Sequence, residues 1–173
     1  GQTADVISLA SIEVQIGRRL DGIVGLDLFM RYVVEIDYVT NEIRLHDPLT
    51  YTYSGAGESI PLTLRDGHFF VPAKIPMPGR PRFEGQFLVD TGGVMVTVVL
   101  TTPFSQANSL PASDQKTISD NSLSGLGGET RLIISRATSF TLGNMSIRAP
   151  VVYVSRDTGG ALASSDYDGL IGS

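Results

Sequence analysis

Cysteine is absent from this 173-residue chain, so it offers no disulfide framework, no thiolate nucleophile and no cysteine-held zinc or iron–sulfur centre. That absence does not by itself fix a compartment. Histidine is nearly as scarce. His46 and His68 stand alone, without H-E-x-x-H spacing, so strand or surface positions account for them and zinc is not supported. A G-x-S-x-G elbow is also missing, which leaves a serine–histidine hydrolase little to work with. Basic residues are few and scattered, 13 against 18 acids for a net charge of -5. Arg18-Arg19 and the arginines at 80 and 82 read as solvated loop spots, so a nucleic-acid or anionic-membrane binder is excluded. No apolar run is long enough to span a bilayer, and the N-terminal residues lack the basic-then-apolar layout of a signal peptide. Neither a P-loop nor a G-x-G-x-x-G pattern occurs, so nucleotide binding is not supported.

What is present points to a folded β protein. Hydrophobic residues make up 42% and charged residues 18%, enough to bury a core and too apolar for wholesale disorder. Nineteen Gly and nine Pro, among frequent Val, Ile and Thr, favour short strands joined by tight turns.

The chain also echoes itself. Val6-Ile7 and Val14-Gln15-Ile16-Gly17 are answered by Leu132-Ile133 and Phe140-Thr141-Leu142-Gly143. Asp21-Gly22-Ile23-Val24-Gly25 is answered, in the same order, by Asp168-Gly169-Leu170-Ile171-Gly172. The second copy holds a longer stretch between its two matches, including the strand-like residues 149–154. The pattern is that of the later part of one β unit followed by most of another. After the first copy comes a short apolar helix at residues 26–32. A hairpin follows, with alternating Val34, Ile36 and Tyr38, a turn at Thr40-Asn41, then Ile43 and Leu45. Asp47-Pro48 closes it, and residues 50–59 read as a polar linker. No such hairpin follows the second copy, so the missing strands are expected from flanking sequence or from another chain.

Beyond the linker, residues 60–64 alternate, Asp66-Gly67 marks a turn, and residues 68–75 continue as a strand. Pro76, Pro78, Gly79 and Pro81 make a stiff turn before a returning strand at 83–89. Residues 94–100 form a continuous apolar run, expected to be a strand buried on both faces. Thr102 is expected to cap a short helix through Leu110, with Pro103 at its first position. Asn144-Met145-Ser146 fits a glycosylation sequon but is explained by a turn after Gly143.

The chemical signal lies at Phe87-Leu88-Val89-Asp90-Thr91-Gly92-Gly93. An apolar strand there delivers a carboxylate to a partly dehydrated place. Glycine lets backbone N–H groups approach it, and the Thr hydroxyl can bond to a neighbouring loop. An ordinary β-turn would use the same letters. Asp157-Thr158-Gly159-Gly160 repeats them between polar flanks and reads as a surface loop without catalytic duty.

The surroundings of Asp90 resemble the retropepsin and pepsin family of aspartic proteases, in particular its two-lobed bacterial members. The parts in order are Asp90-Thr91-Gly92, the run at 94–100, the helix at 102–110, and a glycine-rich flap at Ser124-Gly125-Leu126-Gly127-Gly128. Phe140-Thr141-Leu142-Gly143 and the psi-loop Gly169-Leu170-Ile171-Gly172 complete the set, with Gly22-Ile23-Val24-Gly25 as the matching motif of the first copy. The resemblance implies an all-β, acid-protease-like fold: closed barrel lobes with psi-loops and one or two short helices. Residues 1–50 would be the rear of a first lobe and 51–173 a second lobe lacking its final hairpin. It further implies an aspartic endopeptidase in which Asp90 is catalytic, Thr91 and Gly92 support it, and Gly125, Gly127 and Gly128 form the flap. Asp21 and Asp168 precede the psi-loops and would be structural. The partner is a peptide or protein substrate, with no metal or organic cofactor, and the family resemblance favours a periplasmic or secreted setting.

One feature departs from that family. Its chemistry takes two such acids, and the chain holds one well-placed Asp-Thr-Gly. The second acid is expected upstream of Gly1 or from a partner subunit, and the first-copy psi motif favours the upstream source. The rival readings are a catalytically inactive acid-protease-like peptide-binding or dimerisation module, and a β-sandwich in which Asp90 sits in a plain turn.

Overall fold

The computed structural model describes residues 6–79, 82–93, 96–125 and 128–173, with backbone alone at 82 and 119–125. The chain divides into two compact units. One is Leu20–Ser59, and the other joins the described residues up to Arg19 to Ile60–Ser173.

The smaller unit is the helix α2 (Leu26–Arg31) and a hairpin of β1 (Val33–Asp37) and β2 (Glu42–His46). The hairpin forms where alternation and turn residues place it. Asp37 Oδ1 accepts the N–H groups of Val39 and Thr40 at 2.8 and 3.1 Å, and Asn41 takes the left-handed conformation (φ 57°) that Asn tolerates. Those backbone bonds, led by the one from Thr40, hold the Asp37 carboxyl below its ordinary range. One face pairs Val34 with Leu45 and Ile36 with Ile43; the other pairs Glu35 with Arg44. Glu35 also meets His46 Nε2 at 3.0 Å, and these two bonds, with His46 first, lower its carboxyl pKa. No residue of this unit is buried, and Ile43 is 66% exposed. Of the first-copy psi motif, Gly22-Ile23-Val24-Gly25, no residue is in a strand, and Ile23 and Val24 are exposed.

In the larger unit the first echo has a different form in each copy. Val14, Gln15 and Ile16 end the helix α1 (Ala10–Ile16), whereas Leu132-Ile133 and Phe140–Leu142 are strands. A helix satisfies its own N–H and C=O groups, whereas a strand needs a neighbour, and none pairs with this segment among the described residues. Among the described residues the helices are few and short: α1, α2, α3 (Thr102–Ala107) and one 3-10 turn at Ala161–Ala163.

The remaining strands build one sheet. They are β3 (Thr63–Arg65), β4 (His68–Pro76), β5 (Arg82–Val89), β6 (Val98–Leu100), β7 (Ile118–Gly125), β8 (Gly128–Arg136), β9 (Ser139–Leu142), β10 (Met145–Arg148), β11 (Val151–Ser155) and β12 (Gly169–Ile171). Their order is β10-β9-β4-β5-β12-β6-β11-β8-β7, with β3 alongside β4. The hydrogen-bonded order is open, with no ladder joining its two ends among the described residues. Asp66 and Gly67 both have positive φ (49° and 76°), the two-residue turn whose twist suits a hairpin between β3 and β4.

Several boundaries differ from the sequence reading. Thr101, not Thr102, caps the helix α3 (Thr102–Ala107): its hydroxyl accepts the Phe104 N–H at 3.4 Å. The helix stops at Ala107, short of Leu110, because Ser109 turns left-handed (φ 53°). Among the described residues of the expected strand at 94–100, only Val98–Leu100 pairs, since Val96 N–H turns back to the Gly93 carbonyl at 3.3 Å; Val94 and Met95 lie outside the described residues. The residues after Gly143 are likewise not all turn, because Met145 already begins β10.

The core lies in the larger unit. Inward alternation along β4 places Val71, Ala73 and Ile75 beneath Phe87 of β5, Val98 and Leu100 of β6, and Val152 and Val154 of β11. Phe87 meets Phe140 edge-on, ring centres 5.5 Å apart. Each buried Val, Leu, Ile or Phe among them contributes about 1.5–3 kcal/mol by leaving water.

Candidate active site at the end of strand β5

β5 and β6 are consecutive in the chain but not neighbours in the sheet. β12 runs between them, parallel to β5 (Leu170 beside Leu88, Ile171 beside Val89) and antiparallel to β6 (Leu170 beside Val99). The connection from β5 to β6 must therefore step around the end of β12, which is the psi-shaped crossing implied for this region. Asp90 is the first residue of that connection.

The crossing allows two backbones to come unusually close. A Cβ on Gly172 would lie 1.9 Å from the Val96 carbonyl oxygen and 2.2 Å from that of Gly93, so only glycine fits. Gly172 N–H reaches the Thr97 carbonyl at 3.1 Å, and Asp90 N–H reaches the Ile171 carbonyl at 2.9 Å. Gly93 N–H closes the turn onto the Asp90 carbonyl at 3.1 Å.

The side chain of Asp90 is half-buried. Its Oδ1 accepts the Gly92 N–H at 2.9 Å, the backbone approach that a following glycine permits. Oδ2 has no hydrogen-bond partner among the described residues. Thr91 is exposed, and its carbonyl accepts from Ser173 Oγ at 3.1 Å. Asp90, Thr91 and Gly92 thus stand together at one end of β5, with one carboxylate oxygen held and the other open.

Asp168 sits just before the crossing strand and has a bridging role. Its Oδ2 accepts Gln86 N–H at 2.7 Å, its N–H returns to the Gln86 carbonyl at 2.9 Å, and its carbonyl takes Thr101 N–H at 3.0 Å. One residue thereby joins β5, β12 and the cap of α3. Beside it, Tyr167 donates to the Ala161 carbonyl at 2.8 Å, and half-burial followed by the nearby Asp166 charge raises its phenol pKa.

The other Asp-Thr-Gly-Gly is not the plain surface loop that its flanks suggest. Asp157 is half-buried; Oδ1 accepts Arg131 N–H at 3.0 Å, and Oδ2 accepts the Thr130 hydroxyl. Its own N–H reaches Ser155 Oγ at 3.1 Å, which also receives the buried Thr102 hydroxyl. Both carboxylate oxygens are thus spent in tying a loop to β8. No neighbour in sequence announces this, because the partners lie more than twenty residues away.

Two glycines of the expected flap, Gly125 and Gly128, fall at the end of the β7–β8 hairpin. Gly125 pairs with Gly128, whose φ is 108°, and Gly127 with Leu126 lies outside the described residues. A cavity of about 390 Å³ beside α3, lined by Ser109, Pro111 and Arg156 among others, does not include Asp90. Among the described residues no group of three His, Cys, Asp or Glu gathers to hold a metal, and no helix is long and apolar enough to cross a membrane.

Comparison with known proteins places two solved structures beside this chain. One is a retropepsin-like aspartic protease from Rickettsia conorii, at 23% identity, covering 69% of this chain and 85% of the other with a TM-score of 0.47. The other is the EIAV protease complexed with the inhibitor HBY-793, at 17% identity, covering 70% and 88% with a TM-score of 0.41. No family model and no curated protein matches. The site described above rests on its own geometry.

Proposed function

We propose that this chain supplies one of the two catalytic carboxylates of an aspartic endopeptidase, with Asp90 as that group and Thr91 and Gly92 as its support. The observation carrying this reading is the crossing: β5 delivers a half-buried acid to the point where β12 passes between β5 and β6, with one oxygen held by Gly92 N–H and the other without a partner among the described residues.

The chemistry needs a second carboxylate, from an upstream lobe or a second subunit. Two like charges in contact resist joint ionisation, so such a pair shares one proton. The ionised member takes a proton from water as its oxygen attacks the scissile carbonyl carbon, and the protonated member donates to the carbonyl oxygen. Collapse of the resulting diol breaks the C–N bond, with a proton passing to the leaving amine. An extended peptide would be held by strand-like backbone hydrogen bonds. In this reading residues 1–50 are the rear of one lobe and 51–173 most of another. The β7–β8 hairpin is the flap, with Gly125, Gly127 and Gly128 giving it freedom to close. The step requires no metal or organic cofactor.

The test is Asp90→Asn in the full-length protein. Peptide cleavage is expected to vanish while the circular dichroism spectrum stays the same, and retained cleavage overturns the assignment. A pepstatin-like mimic of the diol should compete with substrate. A full-length chain with no acid at the upstream counterpart of Asp90 would favour the inactive peptide-binding module instead.

A further inference from the structure

The bonds that hold Asp90 begin outside its own loop. Ser173 Oγ donates to the Thr91 carbonyl oxygen at 3.1 Å. That carbonyl and the Gly92 N–H are the two ends of one planar peptide group. The same N–H donates to Asp90 Oδ1 at 2.9 Å. Fixing the oxygen end of a rigid plane fixes the direction of its hydrogen end. A donor on the carbonyl also polarises the peptide, which strengthens the N–H as a donor to a carboxylate.

The crossing strand sets where Ser173 stands. Ile171 takes the Asp90 N–H, and Gly172 is wedged against the carbonyls of Val96 and Gly93, so the next residue is delivered to the Thr91 carbonyl. The sequence motif of the psi-loop ends at Gly172 and gives no hint of this contact.

We propose that Ser173 is a positioning residue for Asp90, acting through the Thr91–Gly92 peptide to aim and strengthen the N–H that supports the ionised carboxylate. The inference rests on the catalytic reading of Asp90. Ser173 works through a peptide group and takes no part in bond breaking.

The experiment compares Ser173→Ala and Ser173→Thr in the full-length protein by two independent readouts. The first is hydrogen exchange of the Gly92 amide by NMR, which needs no turnover. It should quicken about three- to tenfold in the alanine variant, the scale of one net hydrogen bond, and recover in the threonine variant, which keeps the hydroxyl. The second is peptide cleavage. The alanine variant should lose about three- to tenfold in kcat, with KM changed by less than about twofold. The acid limb of its pH profile should move to higher pH, because the ionised carboxylate has lost support. Unchanged Gly92 exchange in the alanine variant, or no rescue by threonine, overturns the proposal. Exchange that responds while kcat and the pH profile stay fixed leaves Ser173 a structural tie and overturns the positioning role. A full-length protein with no peptidase activity overturns the reading of Asp90, and Gly92 exchange then decides the hydrogen-bond chain alone.

Discussion

Asp90-Thr91-Gly92-Gly93 and Asp157-Thr158-Gly159-Gly160 are spelled alike, yet their carboxylates meet different neighbours. At Asp90 the acid ends β5, a second strand passes its shoulder, and one oxygen has no partner among the described residues. At Asp157 the acid follows β11 and spends both oxygens on β8. A carboxylate with both oxygens bonded to a strand has a structural role, whereas one held by a single backbone N–H can still exchange a proton with a ligand. The four letters specify a tight turn in each place, and the strands around them settle the difference.

The contrast can be tested most sharply by removing each acid. Asp90→Asn should abolish cleavage, a loss of about a thousandfold or more in kcat, while leaving the melting curve near wild type. Asp157→Ala should do the reverse. It leaves Thr130 and Arg131 without their acceptor and should cost about 1–3 kcal/mol in chemical denaturation, with kcat for the remaining folded protein little changed. A dead enzyme from the second change and an active one from the first would exchange the two assignments.

Next in size is Gly172→Ala, which attacks the crossing that only Asp90 possesses. The added carbon would overlap two carbonyl oxygens, so the backbones must part. We expect a destabilisation of about 2–4 kcal/mol in denaturant together with loss of cleavage. Glycine to alanine at Gly159, inside the Asp157 motif, where nothing lies within 4 Å of an added Cβ, should be nearly silent. Equal effects at both glycines would mean that the crossing is not what distinguishes the two motifs.

The smallest effect concerns pH. Tyr167, next to Asp168 at the start of the crossing strand, has its phenol raised by burial and by Asp166. A group with a raised folded pKa stabilises fully below its unfolded value, near 10, and loses that contribution as pH rises through the folded one. Stability should therefore fall on the alkaline side of pH 10, and Tyr167→Phe should remove that part of the slope. An unaltered slope in the phenylalanine variant would assign the alkaline loss to other groups.

How far the residues could be read in advance follows from the range of the forces involved. The β1–β2 hairpin was legible because alternation and an Asn turn act within a few residues, and Asp66-Gly67 marked its turn for the same reason. The strand β5 and its terminal acid were legible as an apolar run that stops abruptly. The helix at Val14–Ile16 was not, since its letters match those of a paired strand and only the absence of a neighbour among the described residues makes the helix the better way to satisfy the backbone. The cap moved from Thr102 to Thr101 because both are threonines, and which hydroxyl faces Phe104 N–H depends on how β6 ends. Ser173 and the ties of Asp157 were invisible, as each bonds to a partner remote in the chain.

From residue order alone came the strands β4, β5 and β11, parts of β3 and β6, the turn at Asp66-Gly67 and the acid at the tip of β5, because alternation, glycine and proline impose their preferences on immediate neighbours. The fold alone decided that β12 passes between β5 and β6, that Ser173 reaches the Thr91 carbonyl, and that Asp157 is tied down while one oxygen of Asp90 meets no partner among the described residues. Those outcomes depend on which distant strands lie side by side, and no local preference encodes a hydrogen bond between residues 82 positions apart.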